Sequence, residues 1–144
     1  MGNFRNPSRV EIDAFLRRIR TIAVVGISAN SSRPSHGVAR SLQRFGYTLV
    51  PVNPGVDAVL GETCWPTLDA AVAGCGASID LVDVFRLPQF VPEILNDCIR
   101  LHLPALWLQD GVIDEASAAR AQGAGLFTVM DRCIYRDRAM LAAE

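Results

Sequence analysis

Gly26, Ser28, Arg33 and Ser35 stand close together in the stretch TIAVVGISANSSRPSHGVARSLQRF, residues 21–45, and their side chains suit an anion site. Gly26 ends the short β-branched run Ile22-Ala23-Val24-Val25, where a residue without a Cβ lets the backbone turn sharply or approach a ligand. Ser28 and Ser35 supply hydroxyls, and Arg33 supplies a planar fork of N–H donors that matches phosphate. Pro34 suits the first turn of a helix, because it lacks an N–H that would have no partner there. Val38, Leu42 and Phe45 give that helix an apolar stripe. A buried strand, a glycine turn and a helix N-terminus aim free N–H groups and the positive end of the helix dipole at one point. The stretch reads as a phosphate cradle.

The rest of the chain must position this cradle. Ser8 and Glu11 have capping-box spacing, and Val10, Phe15, Leu16 and Ile19 recur at helical intervals. This predicts a helix over 9–20 lying against the edge of a sheet. Runs of β-branched or alternating apolar residues predict strands over 22–25, 47–52, 79–85, 104–108 and 126–130. Helices are predicted over 34–45, 66–73, 88–101, 114–122 and 131–143, with Pro66 opening the second of these. Residues 53–55 read as a turn and 56–65 as an irregular stretch.

Strands alternating with helices predict one α/β domain over 1–144. Its core is a doubly wound, mostly parallel five-stranded sheet with helices on both faces, Rossmann-like. In such sheets ligands sit outside the carboxyl ends of the strands, at the point where strand order reverses. Four strand exits are nominated by that rule: Gly26-Ile27-Ser28, Asn53-Pro54, Phe85-Arg86 and Gln109-Asp110-Gly111.

A dinucleotide site of the usual kind needs GxGxxG and, about 20 residues on, an acidic group for the ribose hydroxyls. Ser28 and Ser31 stand where the later glycines would be, and Asn53 replaces the acid. Asn53 can hydrogen-bond without repelling a ribose phosphate, and Arg33 and Arg86 can neutralise phosphate charge. The chemistry fits an adenine nucleotide carrying several phosphates better than it fits NAD.

Composition narrows the function classes. The 14 basic residues balance 15 acidic ones, so no broad basic face for nucleic acid is expected. All 14 basic residues are arginine, which excludes a Walker-type phosphate loop, Schiff-base chemistry and a lysine general base. Cys64, Cys75, Cys98 and Cys133 are scattered, with no CxxC spacing and no histidine pattern for a metal. They read as reduced, mostly buried thiols of a cytoplasmic protein. No apolar run reaches the roughly 18 residues of a membrane span, and the N-terminus lacks the pattern of a signal peptide. The Met-Gly start is read as unlipidated, because Arg5-Asn6 stands where a myristoylation signal wants Ser or Thr.

Taken together, GxSxxxxRPS, PVNP, DxVDVFR and WLQxG make a specific set, in order, over residues 12–134. In them the chain resembles the small bacterial and archaeal CoA-binding proteins of the YccU type. It is more distantly similar to the CoA-binding domain of succinyl-CoA synthetase. The resemblance implies a Rossmann-like domain that holds coenzyme A, or an acyl-CoA, through its nucleotide end. It implies that Gly26, Ile27 and Ser28 offer donors to the pyrophosphate, and that Arg33 and Ser35 meet phosphate at the helix start. By the same resemblance Val52, Asn53 and Pro54 line the adenosine pocket, and Val84, Phe85 and Arg86 flank the cofactor. Gln109 and Gly111 fall in a further family motif. His36 is counted with the site, at a position where the family often has an aromatic residue.

Each of these residues also has a plainer reading. The glycine and serines would serve any tight strand-to-helix connection, Phe85 would serve the core, and Arg33 and Arg86 would serve as surface charges. Asp80 and Asp83 are an odd number of positions apart on one strand, so they face opposite ways and cannot act as a carboxylate pair. No nucleophile elbow, HExxH or metal cluster is present, so no catalytic residue and no metal ligand is assigned. Three functions follow. The first is a non-enzymatic CoA-binding module. The others are an NAD(P)-dependent enzyme and a CoA-binding component of an acyl-CoA ligase that acts with a partner chain. Homodimerisation is left open, and neither nucleic acid nor membrane is expected as a partner.

Overall fold

Alternation along the strands decides which helix covers which side of the sheet. A computed structural model describes residues 3–141. It runs α1 (Arg9–Arg18), β1 (Thr21–Val25), α2 (Pro34–Arg44), β2 (Thr48–Val52), β3 (Ala58–Val59), β4 (Glu62–Thr63) and α3 (Leu68–Gly74). Then follow β5 (Leu81–Val84), α4 (Val91–Arg100), β6 (Ala105–Leu108), α5 (Glu115–Gly123), β7 (Phe127–Val129) and α6 (Ile134–Leu141). Five strands form a wholly parallel sheet in the order β2-β1-β5-β6-β7. Counted among themselves, these strands lie in the order 2-1-3-4-5, a doubly wound arrangement whose direction reverses between β1 and β5.

One face presents Ile22, Val24, Leu49, Leu81, Trp107 and Val129 to α1, α2 and α6. The other presents Ala23, Val25, Val50, Val52, Val82, Val84, Leu106 and Leu108 to α3, α4 and α5. Helices thus cover both faces, as expected, and the central strands are buried on both sides.

The first helix forms for the reason its sequence gives. The Glu11 amide donates to Ser8 Oγ at 3.2 Å, and the Ser8 amide donates to Glu11 Oε1 at 2.8 Å. The helix lies against edge strand β7, where the Phe15 and Phe127 rings stack at 4.1 Å between centroids. Arg9 and Arg132 reach the buried Asp137 on α6 at 2.8 Å and 2.6 Å, and the Arg9 pair ties α1 to α6. Burial pushes the Asp137 carboxyl up, but the hydrogen bonds from Arg132 and Arg9 outweigh it and leave the group below its ordinary value.

Several local expectations are corrected. Residues 56–65 are not irregular: β3 and β4 pair as a small antiparallel hairpin. The next helix starts at Leu68 under a Thr67 side-chain cap, not at Pro66. The reason is tertiary. Trp65 is held extended alongside β2, its amide donating to Pro51 O and its carbonyl accepting from the Asn53 amide. Gly74 is needed beneath it, because an added Cβ would run into the Trp65 ring. Residues 88–101 split into a short 3-10 turn, Pro88–Phe90, and α4. Ile79 and Asp80 precede β5 rather than belong to it. The predicted end of the last helix at 142–143, and the Met1-Gly2 reading, lie outside the described residues.

Among the described residues, no helix is long and apolar enough to cross a membrane.

Candidate functional site

Gly26 sits at the reversal point, and its conformation is forced. Its φ is +89°, and an added Cβ would overlap the Phe85 carbonyl oxygen and press on the Arg86 Cδ. Its amide donates to Val52 O at 2.9 Å, so this single residue touches the exits of both neighbouring strands.

The loop after it folds on its own side chains. Ser28 Oγ accepts from the Asn30 amide at 3.0 Å, and Asn30 Oδ1 accepts from the Ser32 amide and hydroxyl. Ser35 Oγ accepts from the Ser28 amide at 2.9 Å, closing the loop onto the first turn of α2. Arg33 is the N-cap of α2 and makes no side-chain cap, whereas Ser8, Thr67 and Asp114 cap α1, α3 and α5. Among the described residues, the amides of Ile27, Ala29, Ser31 and Ser35 therefore have no protein acceptor. Of these, the Ser35 amide stands in the first turn of α2, where an uncommitted donor can hold an anion.

A cleft of about 1010 Å³ opens beside this loop and the first turn of α2. Nine of the residues singled out in the sequence line it: Gly26, Ser28, Arg33, Ser35, Asn53, Pro54, Phe85, Arg86 and Gln109. Four do not. Ile27 is wholly buried beneath α2, and Val52 and Val84 belong to the core of the opposite face. Their carbonyls still shape the floor, since Ile27 O accepts from Asn53 Nδ2 at 2.7 Å and Val84 O from the Gln109 amide at 3.4 Å. His36 is half-buried as the third residue of α2, with Nδ1 buried and unpartnered, and does not reach the cleft.

The Asn53 side chain is more committed than its sequence position implies. Besides its donation to Ile27 O, its Oδ1 accepts from the Gly55 amide at 2.9 Å, so Asn53 clamps the exits of β1 and β2 together. Gln109 plays a similar part on the far side, its Oε1 accepting from the Ile134 amide at 3.1 Å.

The cleft's remaining wall comes partly from the cradle helix and partly from segments beyond it. Pro34 and Val38 continue α2, Leu87, Pro88 and Phe90 follow β5, and Asp110, Gly111, Val112, Cys133 and Arg136 come from the exits of β6 and β7. Asp110 and Gly111 lie in a strand exit the sequence did nominate. Cys133 and Arg136 are brought in by Trp107, whose indole N–H donates to Arg132 O at 2.9 Å, and by Asp131, which accepts from the Gly111 amide at 2.8 Å. No local pattern signals either pairing.

The charges along the cleft are unequal. Arg33 and Arg86 have no carboxylate partner among the described residues; the Arg86 guanidinium lies 4.0 Å from the centre of the Phe90 ring. Arg136, at the far end, is paired with Asp110 at 2.7 Å. Below the floor, Asp83 is wholly buried between Val24 and Trp107, and neither carboxyl oxygen has a partner. Burial pushes its carboxyl well above the ordinary value.

Residues 20–138 match the family described as a CoA binding domain. The chain is 35% identical over 130 residues to the uncharacterized protein YneT of Bacillus subtilis, covering 90% of this chain and 93% of that one. A hypothetical protein from Pyrococcus horikoshii OT3 superposes with a TM-score of 0.87 at 29% identity, covering 99% of each chain. An acetate–CoA ligase (ADP-forming) of Archaeoglobus fulgidus is 25% identical over 81 residues, which are 55% of this chain but 11% of the ligase. With the family model spanning most of its length, the chain belongs to the CoA-binding domain family.

Proposed function

We propose that the chain binds coenzyme A or an acyl-CoA through its ADP-phosphate end, acting over 1–144 as a single cytoplasmic binding domain without catalytic machinery of its own. The observation that carries this is the uncapped start of α2 beside Gly26, with two unpaired arginines in the same cleft. The donor set fits CoA: the free Ser35 amide and Arg33 face the diphosphate, the Ser28–Ser35 hydrogen bond holds the loop beside them, and Arg86 offsets the remaining charge. Asn53 and Pro54 seat the adenosine, with Val52 behind them. Phe85 flanks the cofactor on the floor, over Val84, and Gln109 closes the wall toward α6.

The test is calorimetric titration with CoA. Arg33→Glu replaces an attractive pairing with repulsion and is expected to weaken binding by well over tenfold. Unchanged affinity would put the phosphates elsewhere.

A second reading rests on the match to part of an ADP-forming acetate–CoA ligase. In it the chain is the CoA-binding component of a ligase whose catalytic groups lie on a partner. Co-purification of a nucleotide-binding partner that confers acyl-CoA synthesis would favour this reading. A thermal shift with NADH and none with CoA would instead point to the NAD(P)-dependent alternative.

A further inference from the structure

A single peptide group joins the walls of the cleft that the proposed ligand must span. Asn53 at the exit of β2, Ser28 in the loop after β1 and Ser35 in the first turn of α2 all line the cleft. The carbonyl of the Ile27–Ser28 peptide accepts from Asn53 Nδ2 at 2.7 Å, and its N–H donates to Ser35 Oγ at 2.9 Å. Among the described residues no peptide bond is cis, so this carbonyl and this N–H point in opposite directions. Asn53 and Ser35 therefore grip one planar group from opposite sides. A peptide held at one edge can still turn through the flanking ψ and φ; one held at both edges turns only by giving up a hydrogen bond.

The same clamp accounts for the residue type at the end of β2. The Asn53 amide is oriented by two partners of opposite kind, Oδ1 accepting from the Gly55 amide at 2.9 Å while Nδ2 donates to Ile27 O. A carboxylate has no donor, so the acid that dinucleotide-binding folds carry near this point would set an oxygen against the Ile27 carbonyl. The amide satisfies both partners.

We propose that Asn53 and Ser35 are positioning residues that act as a pair through the Ile27–Ser28 peptide, fixing the spacing between the α2 start and the β2 exit. The inference rests on the CoA reading above and adds how the phosphate and adenosine ends of the cleft are held in register. Because the turn is already ordered, a ligand that spans both ends does not spend affinity on ordering it.

The experiment is calorimetric titration of the full chain with CoA in Asn53→Ala, Ser35→Ala and the double variant, with denaturant unfolding of each to establish that it is folded. Each single variant is expected to bind about tenfold more weakly, as when a freed peptide leaves about one molecule in ten in the binding orientation. The double variant is expected to lie within about threefold of the weaker single, because a clamp released on one side has already lost its hold. Ser35→Thr keeps the hydroxyl acceptor and is expected to stay within about threefold of the parent. If Asn53→Ala does not fold, Asn53→Asp, which keeps the bond from the Gly55 amide, takes its place in the cycle. Losses that multiply in the double variant would mean two independent ligand contacts and would overturn the pairing. So would single variants with parental affinity, or a Ser35→Thr variant as weak as Ser35→Ala. Each of those results leaves the CoA reading standing, whereas a parent chain that takes up no CoA would overturn both.

Discussion

The two ends of the parallel sheet treat their polar groups in opposite ways. At the amino end the strand entries are stitched together. Asp80 Oδ2 accepts from the Arg20 and Thr21 amides at 2.9 Å and 3.0 Å, the Thr48 amide donates to Arg20 O, and the Phe127 amide donates to Pro104 O. At the carboxyl end, α2 begins without a side-chain cap, and among the described residues four amides between Ile27 and Ser35 have no acceptor and Arg33 and Arg86 carry no carboxylate. One end uses its hydrogen-bonding capacity to hold the fold. The other spends part of it on the Asn53 and Gln109 clamps and leaves the rest open, and uncommitted donors are what a phosphate-bearing ligand requires. Binding capacity and stability are therefore separable here, by position along the strands.

Substitutions at the two ends should separate these roles. The largest effect is expected at Gly26, where both demands meet. Gly26→Ala places a Cβ against the Phe85 carbonyl at a φ of +89° and is expected to lower folding stability by about 2–3 kcal/mol. CoA binding should be lost with it. Denaturant unfolding and calorimetry on one preparation would read both, and a stable variant with native affinity would break the contrast.

Asp80→Ala probes the amino end alone. Removing an acceptor shared by two amides is expected to cost about 1–2 kcal/mol of stability while leaving CoA affinity within about twofold. A matching loss of affinity would mean that the two ends are coupled.

The smallest effect concerns Asp83, beneath the cleft floor. Its carboxyl holds a proton to higher pH in the folded protein than in the unfolded chain. The native state thus binds more protons as pH rises above the ordinary carboxylate range, so stability falls from there toward the raised native value. Asp83→Asn removes this titration. Melting temperatures between about pH 4 and pH 8 should decline less steeply in the variant than in the parent. Equal slopes would show that Asp83 is not the group responsible.

Much of this was readable in the chain itself. The capping box at Ser8, proline opening α2, the apolar strand runs and glycine at a turn follow from rules that act over a few residues: helix periodicity, strand alternation, and the φ freedom of glycine and proline. They were enough to set the α/β order and to place the cradle at the end of the first strand. Other features depended on residues far apart in sequence. Trp65 beside β2 moved a helix start from Pro66 to Leu68. Asn53, a candidate nucleotide contact, turned out to have its amide spent on Ile27 and Gly55. Cys133 and Arg136 joined the cleft through the Trp107 and Asp131 hydrogen bonds, and Val52 and Val84 faced the opposite core. Local restrictions on the backbone decide which elements form and where they turn. Which donors those elements leave free is decided by packing, because a hydrogen bond between distant residues exists only once the whole sheet has assembled.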